Sequence, residues 1–513
     1  VIARLGALLR LRGRLLSTLE VDEARWPLAG IAVSSRGVEG RLQAILKAHD
    51  PNFGRFTLHL DGRASAFWPD AGRWNWRYWG EGVMAPLHAK WDVKGTGSWQ
   101  DTLIELSTLS TGFDQLQYGM VKVNKPRLTL TAPVRWQRSP QRPAFHGDFQ
   151  LRAAKTHLSN GGWLPPSTLG FQVNGDSPSR FLWRGQLRAD EIGPLRVEGR
   201  WDGERLRGSA WWPSQSLSVF QPLLSPALKM KIQSGELKAQ AAFSAASDQG
   251  FEAGGHWTVK QGSLRTPDST VSGIDFSLPF RLKDQQWQLG VRGPVSLRIA
   301  EIKNQFAIQN ISADLQGYYP WSERQPLTLS NVNLDLLDGN ISLNSLRLPQ
   351  HAAARVIMRD ISMSRLITAL KPKQLALSGK IEGELPLWVD QPRWLVEKGW
   401  VANQGPLTLR LDKEMVDAIA GNNFAAGAAI NWLRYMEISR ARATLNLDSA
   451  GNLTLQSQVN GTGRYENRKQ SLNLNYRHQE NLFQLWRSLR YGDNLQSWVE
   501  QNAALPPNKD STP

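Results

Sequence analysis

A chain of 513 residues is far longer than one ordinary hydrophobic core, so it is either several domains or an elongated array whose units touch only their neighbours. With 41% hydrophobic residues it can bury a core and is not a disordered chain, and having no cysteine excludes disulfides, thiolate metal sites and cysteine nucleophiles. A formal charge of +16 draws it to anionic surfaces without choosing among nucleic acid, phospholipid head groups and lipopolysaccharide, while 22 tryptophans require many apolar or amphipathic places to sit.

The opening stretch carries many leucines, but Arg4, Arg10, Arg12 and Arg14 interrupt it, so it is neither a transmembrane span nor a signal peptide. With Val1 first, the expectation is a fragment or processed form whose anchor lies upstream. Gly37 to Leu42 reads as a short strand. Phe56, Leu58 and Leu60, then Asp61-Gly62, then Ala64, Ala66 and Trp68 read as a hairpin turning on Asp-Gly. Trp74, Trp76 and Tyr78 alternate with Arg73, Asn75 and Arg77, an aromatic face opposite a basic one. Runs of strand length follow from Ala89 to Leu109, Pro126 to Trp136 and Ala144 to Leu158.

From Leu195 to Trp212 the alternation is regular. Leu195, Val197, Gly199 and Trp201 face one way, Asp202-Gly203 turns the chain, and Leu206, Gly208, Ala210 and Trp212 return. Pro213 is expected to end that strand and Ser216 to Leu228 to form a short helix. Strands resume through Leu237 to Phe243, His256 to Leu264, Val271 to Leu282 and Trp287 to Ile299. Leu327 to Val389 is the strongest stretch. Val332, Leu334 and Leu336 alternate with polar neighbours, Asp338-Gly339 turns, and Ile341 and Leu343 return. A helix is expected from Ser362 to Leu370, stopped by Pro372, and Leu377, Gly379, Ile381, Gly383, Leu385, Leu387 and Val389 then occupy every second position.

Leu407, Leu409 and Leu411 form a strand, followed by helical stretches from Met415 to Phe424 and Ala426 to Met436. Leu445 and Leu447 turn at Ser449 to Asn452 into Leu453 and Leu455, and Leu472, Leu474 and Tyr476 make the final strand. Leu482, Leu485, Trp486 and Leu489 fall at helical spacing, and the residues after about Gln501 read as disordered.

The fold class is therefore mostly β: a long, curled antiparallel sheet of many short strands forming an elongated hydrophobic groove, with a few short helices mainly toward the C-terminus. It divides into a continuous groove segment at 1–326, a segment with inserted helices at 327–503 and a tail at 504–513. About 15 residues per strand and turn gives roughly 30 strands, on the order of 150 Å at about 4.8 Å per strand.

Catalytic signatures do not occur: no Walker A loop, H-E-x-x-H, EF-hand loop or G-x-S-x-G elbow. Gly95-Thr96-Gly97 and Gly461-Thr462-Gly463 lack the third glycine of a dinucleotide loop, and His59, His88, His146 and His478 have no metal-ligand spacing. No enzyme, cofactor or metal site is expected. One-sided strands that continue so long either pack their apolar faces together or leave a trough needing another occupant, and acyl chains suit it at about 0.8 kcal/mol per buried CH₂.

Leu337 to Leu343 (LDGNISL), Leu377 to Leu387 (LSGKIEGELPL), Gly399 to Leu409 (GWVANQGPLTL), Ser471 to Tyr476 (SLNLNY) and Glu480 to Arg490 (ENLFQLWRSLR) together resemble the YdbH group of the AsmA-like, TamB-type family of Gram-negative envelope lipid-transport proteins. The resemblance implies an inner-membrane-anchored periplasmic protein whose β-groove conducts phospholipids toward the outer membrane. It also implies a small outer-membrane lipoprotein partner near the C-terminal end. Acyl chains would lie on Leu195, Val197, Leu334, Leu336, Ile341, Leu343, Leu377, Ile381, Leu385, Leu407, Leu409, Leu445, Leu447, Leu453, Leu455, Leu472 and Leu474, with arginines and the tryptophan cluster near Trp74 holding head groups at the rim. The edge at Leu472, Leu474 and Tyr476 would accept a partner strand. The competing readings are a structural or adhesive β-protein with a closed, dry core and a nucleic-acid-binding protein. Against the latter, Lys and Arg are spread along the chain and no nucleic-acid module occurs.

Overall fold

A computed structural model of the chain describes residues 11–14, 20–50, 54–84, 88–118, 121–246, 249–370, 375–413, 431–432, 434–482 and 484. Nearly every element is a β-strand paired antiparallel to its sequence neighbour, as the alternation requires. The described helices are the 3₁₀ turns Leu217–Leu223 and Pro226–Leu228 and the α-helix Met363–Leu370. The chain forms two compact units, Val1–Thr258 with Arg281–Gln285, and Val259–Phe280 with Gln286–Pro513.

In the first unit an antiparallel meander runs through Gly37–Asp50, Gly54–Trp68, Ala71–Met84, Ala89–Gln100 and Leu103–Phe113. It continues from Arg127–Gln137 to Lys231–Ala246. A small second sheet joins Gln115–Tyr118, Val121–Asn124, Thr156–Leu158 and Trp163–Leu164. The second unit repeats the meander from Val295–Lys303 to Arg468–Asn481. The expected division before Leu327 falls inside this unit, between two directly paired strands.

The strands are longer than the sequence suggests. Gly37 to Leu42 is one end of a 14-residue strand, and Trp394–Leu411 spans 18 residues. Asp61-Gly62 is not a turn. Gly54–Trp68 runs through it, Asp61 receives both Arg41 guanidinium donors at 2.9 and 2.8 Å, and a side chain at Gly62 would strike the Asn75 and Trp76 backbone. Pro213 does not end its strand either. Arg205–Ser216 absorbs it in a bulge between Trp212 and Gln215, where no ladder N–H is needed. The expected helix after it is two 3₁₀ turns, the first interrupted by Pro222.

The hairpin at Asp338-Gly339 forms one residue earlier than the dipeptide implies. Leu337 and Asp338 take φ of 52° and 60°, and Gly339 already pairs with Leu336. Leu337 accepts that conformation while its side chain packs with the cluster around Met363. Asp202-Gly203 does turn, with Asp202 Oδ1 accepting the Glu204 and Arg205 N–H groups at 3.0 and 2.7 Å. Those donors hold the Asp202 carboxyl below its ordinary range. The helix expected from Ser362 begins at Met363, and Ser362 Oγ accepts the Arg365 N–H at 3.3 Å. Tyr435 and Met436 open a strand rather than close a helix. Pro372, Met415 to Phe424, Leu485, Trp486, Leu489 and the tail lie outside the described residues.

Candidate functional site

Each unit presents one apolar sheet face, aromatic in the first and aliphatic in the second. In the first, Trp74, Trp76 and Tyr78 are buried with Leu42, Ala44, Ala64 and Phe67, while Arg73 and Arg77 point to water. Trp74, at 1% exposure, lies too deep to hold head groups at a rim. Glycines take cross-strand positions opposite large rings. Gly97 pairs with Trp76 and Gly95 with Tyr78, and a Cβ at either would come within 2.6 or 2.5 Å of the aromatic side chain. Gly95-Thr96-Gly97 is thus a floor beneath rings. Burial pushes the Tyr78 phenol up, and its hydroxyl donates to the Thr108 carbonyl at 2.9 Å. Leu195 and Val197 are half-buried on the same strand as Gly199, which sits under Trp183.

In the second unit the register aligns the leucines across strands. Leu334 pairs with Ile341, Val332 with Leu343, Leu377 with Leu409, Leu445 with Leu455 and Leu447 with Leu453. Leu385 reaches over Gly399 toward Leu445. Two subsets separate by burial. Ile341, Leu377, Ile381, Leu407, Leu409, Leu472 and Leu474 join Met363 and Leu366 of the helix in one cluster, and Leu343 is buried with Leu346 and Ala354. Leu334, Leu336, Leu385, Leu445, Leu447, Leu453 and Leu455 remain half-buried. The helix is held over the sheet partly by Arg365, whose Nε donates to Asp338 at 2.9 Å.

Arg468–Asn481 pairs with Asn452–Tyr465, and among the described residues no strand pairs its other edge. The apolar face changes character along it. After Leu472 and Leu474 come Tyr476, His478 and Glu480, with Tyr476 Oη 3.0 Å from His478 Nδ1 and His478 Nε2 3.6 Å from Glu480. Burial raises the Tyr476 phenol. The alternating sequence does contain this polar run, as polar residues continuing the greasy phase past Leu474.

Among the described residues no cluster of three or more His, Asp or Glu could hold a metal, and no helix is long and apolar enough to cross a membrane.

Comparison with known proteins matches residues 1–504 to the YdbH-like family, described as intermembrane phospholipid transport protein YdbH. The probable phospholipid transport protein YdbH of Escherichia coli (strain K12) is 57% identical over 503 residues, covering 98% of this chain and 57% of the relative. The chain thus spans a little over half the length of that relative. No solved structure matches.

Proposed function

The chain belongs to the YdbH-like family, and from that membership we propose that its apolar sheet faces form part of a passive groove carrying phospholipids between two membranes of the cell envelope. Acyl chains lie along the leucine face while head groups stay in water at the open seam. The observation that carries this reading is the cross-strand register. Leu334–Ile341, Leu445–Leu455 and Leu447–Leu453 extend apolar rows from strand to strand, and their side chains are only half covered. Each CH₂ a lipid buries there is worth about 0.8 kcal/mol. Transport makes and breaks no bond, so no catalytic group is needed. The wider protein is periplasmic, anchored in the inner membrane by a segment upstream of Val1, and receives a small outer-membrane lipoprotein near the C-terminal strand edge. A closed, dry core is favoured only where the helix Met363–Leu370 covers the sheet.

Photocrosslinking in cells tests the groove. A photoreactive amino acid at Leu336, Leu447 or Leu455 should capture phospholipid, whereas wet-face Asn333 should not. Leu343 and Leu407, packed against protein, should give little. Adducts at none of the leucines, with the protein folded and abundant, would replace the conduit by a structural β-protein.

A further inference from the structure

The two rims of each sheet are built differently. In the first unit one rim holds the turns at 69–70, 101–102, 178–179 and 202–204, and the other carries the small sheet and the 3₁₀ turns. In the second unit one rim holds the connections at 320–326, 349–353, 388–393 and 449–451, and the other carries the helix Met363–Leu370. Toward the rim without inserted elements the apolar face ends in rings: Trp99, Trp201 and Phe251 in the first unit, Trp287 and Tyr319 in the second. Phe251, Trp287 and Tyr319 are 48%, 40% and 55% exposed, whereas Trp74, Trp76 and Tyr78 in the middle of the first sheet are buried. Tryptophan and tyrosine favour such boundaries between apolar matter and water.

At this rim a guanidinium stacks on a ring of the apolar face in the first unit, and another stacks on a ring at the rim of the second. Arg138 lies 4.5 Å from the Trp99 centroid and Arg393 lies 5.1 Å from that of Trp394. Arg77 over Trp79 and Arg442 over Trp400 are different, because those rings lie on the wet face. Arg138 follows Trp136 in phase, so it extends the apolar row. Its Nη2 donates to the Pro69 carbonyl at 2.5 Å, and among the described residues its buried Nε has no acceptor. A guanidinium has more N–H donors than the Pro69 carbonyl can take, and a phosphate oxygen at this boundary would accept from the accessible ones with charge-assisted bonds. A lipid with its chains on the apolar face brings its phosphodiester to this boundary.

We propose that Trp99–Arg138 and Trp394–Arg393 are phosphate stations, where a guanidinium holds the phosphodiester of a phospholipid whose chains lie on the apolar face, and that within each unit head groups therefore lie along the rim without inserted elements and not along the other. The proposal rests on the groove reading, and the test separates the two. These 513 residues contain no cysteine, so a single-cysteine fluorescent reporter is the one thiol among them. In the full-length protein, reporters at Gln141→Cys on the ring-bearing rim and Glu191→Cys on the opposite rim are exposed to phospholipid carrying a head-group nitroxide. A third, at Leu447→Cys, is exposed to phospholipid with the nitroxide near the end of an acyl chain. Head-group quenching should be at least about twofold stronger at Gln141 than at Glu191. Arg138→Gln should remove at least about half of it, with Arg138→Lys retaining more, and Arg393→Gln should do the same to a reporter at Gln391→Cys. Acyl-chain quenching at Leu447 should persist in every variant, which shows that they fold and load lipid. Acyl-chain quenching with equal head-group quenching at both rims, or indifferent to Arg138→Gln and Arg393→Gln, overturns the stations. Absence of acyl-chain quenching in the unaltered arginine background overturns the groove itself.

Discussion

Trp76 faces Gly97 across paired strands, and a Cβ at Gly97 would come within 2.6 Å of the indole ring. Trp183 stands in the same relation to Gly199, and Phe243 to Gly208. Glycine in a strand interior is weak on its own, but here it gives a ring room to lie across the sheet. Gly97→Ala should therefore cost about 1–3 kcal/mol through overpacking. Gly170 has nothing within 4 Å of its Cβ position, and Gly170→Ala should stay within about 0.5 kcal/mol of the parent in chemical denaturation. Equal losses at both positions would show that the rings do not depend on the glycines.

The alternation made the choice of face legible. Leu195 to Trp201 and Leu445 to Leu455 lie as their period of two requires, because burial of one face leaves a strand no other register. The turns were less legible. Three Asp-Gly pairs behave in three ways: Asp61-Gly62 stays inside a strand, Asp202-Gly203 turns, and Asp338-Gly339 turns one residue early. What separates them is tertiary: Arg41 across from Asp61, backbone donors around Asp202, and the apolar cluster that takes Leu337. The Trp99–Arg138 stack was not legible, since a ring and a guanidinium so distant in sequence meet only through the register of intervening strands.

The helix over the second sheet should be held by burial rather than by its ion pair. Met363 is buried in the cluster with Leu407 and Met436, whereas the Arg365–Asp338 pair is well exposed on both sides. Met363→Ala should cost about 2–5 kcal/mol. Arg365→Ala should cost no more than about 1 kcal/mol, with the difference growing weaker in high salt. Urea denaturation of both variants measures the order, and a larger loss for Arg365→Ala would reverse the assignment.

Asp448 makes acid stability partly a property of one turn. Its carboxylate accepts the Asn452 and Ala450 N–H groups at 2.8 and 3.0 Å, and those bonds, Asn452 first, hold its pKa below the ordinary carboxylate range. A depressed pKa contributes stability that is present above the unfolded value of about 4 and lost as pH falls through the folded value. Asp448→Ala should therefore lower Tm at pH 7, and the gap from the parent should close as pH approaches 2. A gap that stays constant through that range would show that the carboxylate's charge plays no part.

The strand edge at Leu472, Leu474 and Tyr476 gives the sharpest test of the proposed lipoprotein partner. In an antiparallel pair successive N–H groups point alternately toward the paired neighbour and toward the open side. Arg468–Asn481 already pairs along its length with Asn452–Tyr465, so of Asn473→Pro and Leu474→Pro, one removes a ladder donor and the other an open-edge donor. The first should lower Tm and weaken partner capture only through unfolding. The second should leave Tm near the parent and abolish co-purification of the lipoprotein, because a strand added by β-augmentation needs that donor. Thermal melts beside co-purification separate the two effects. Undiminished capture by both folded variants would place the partner elsewhere on the protein.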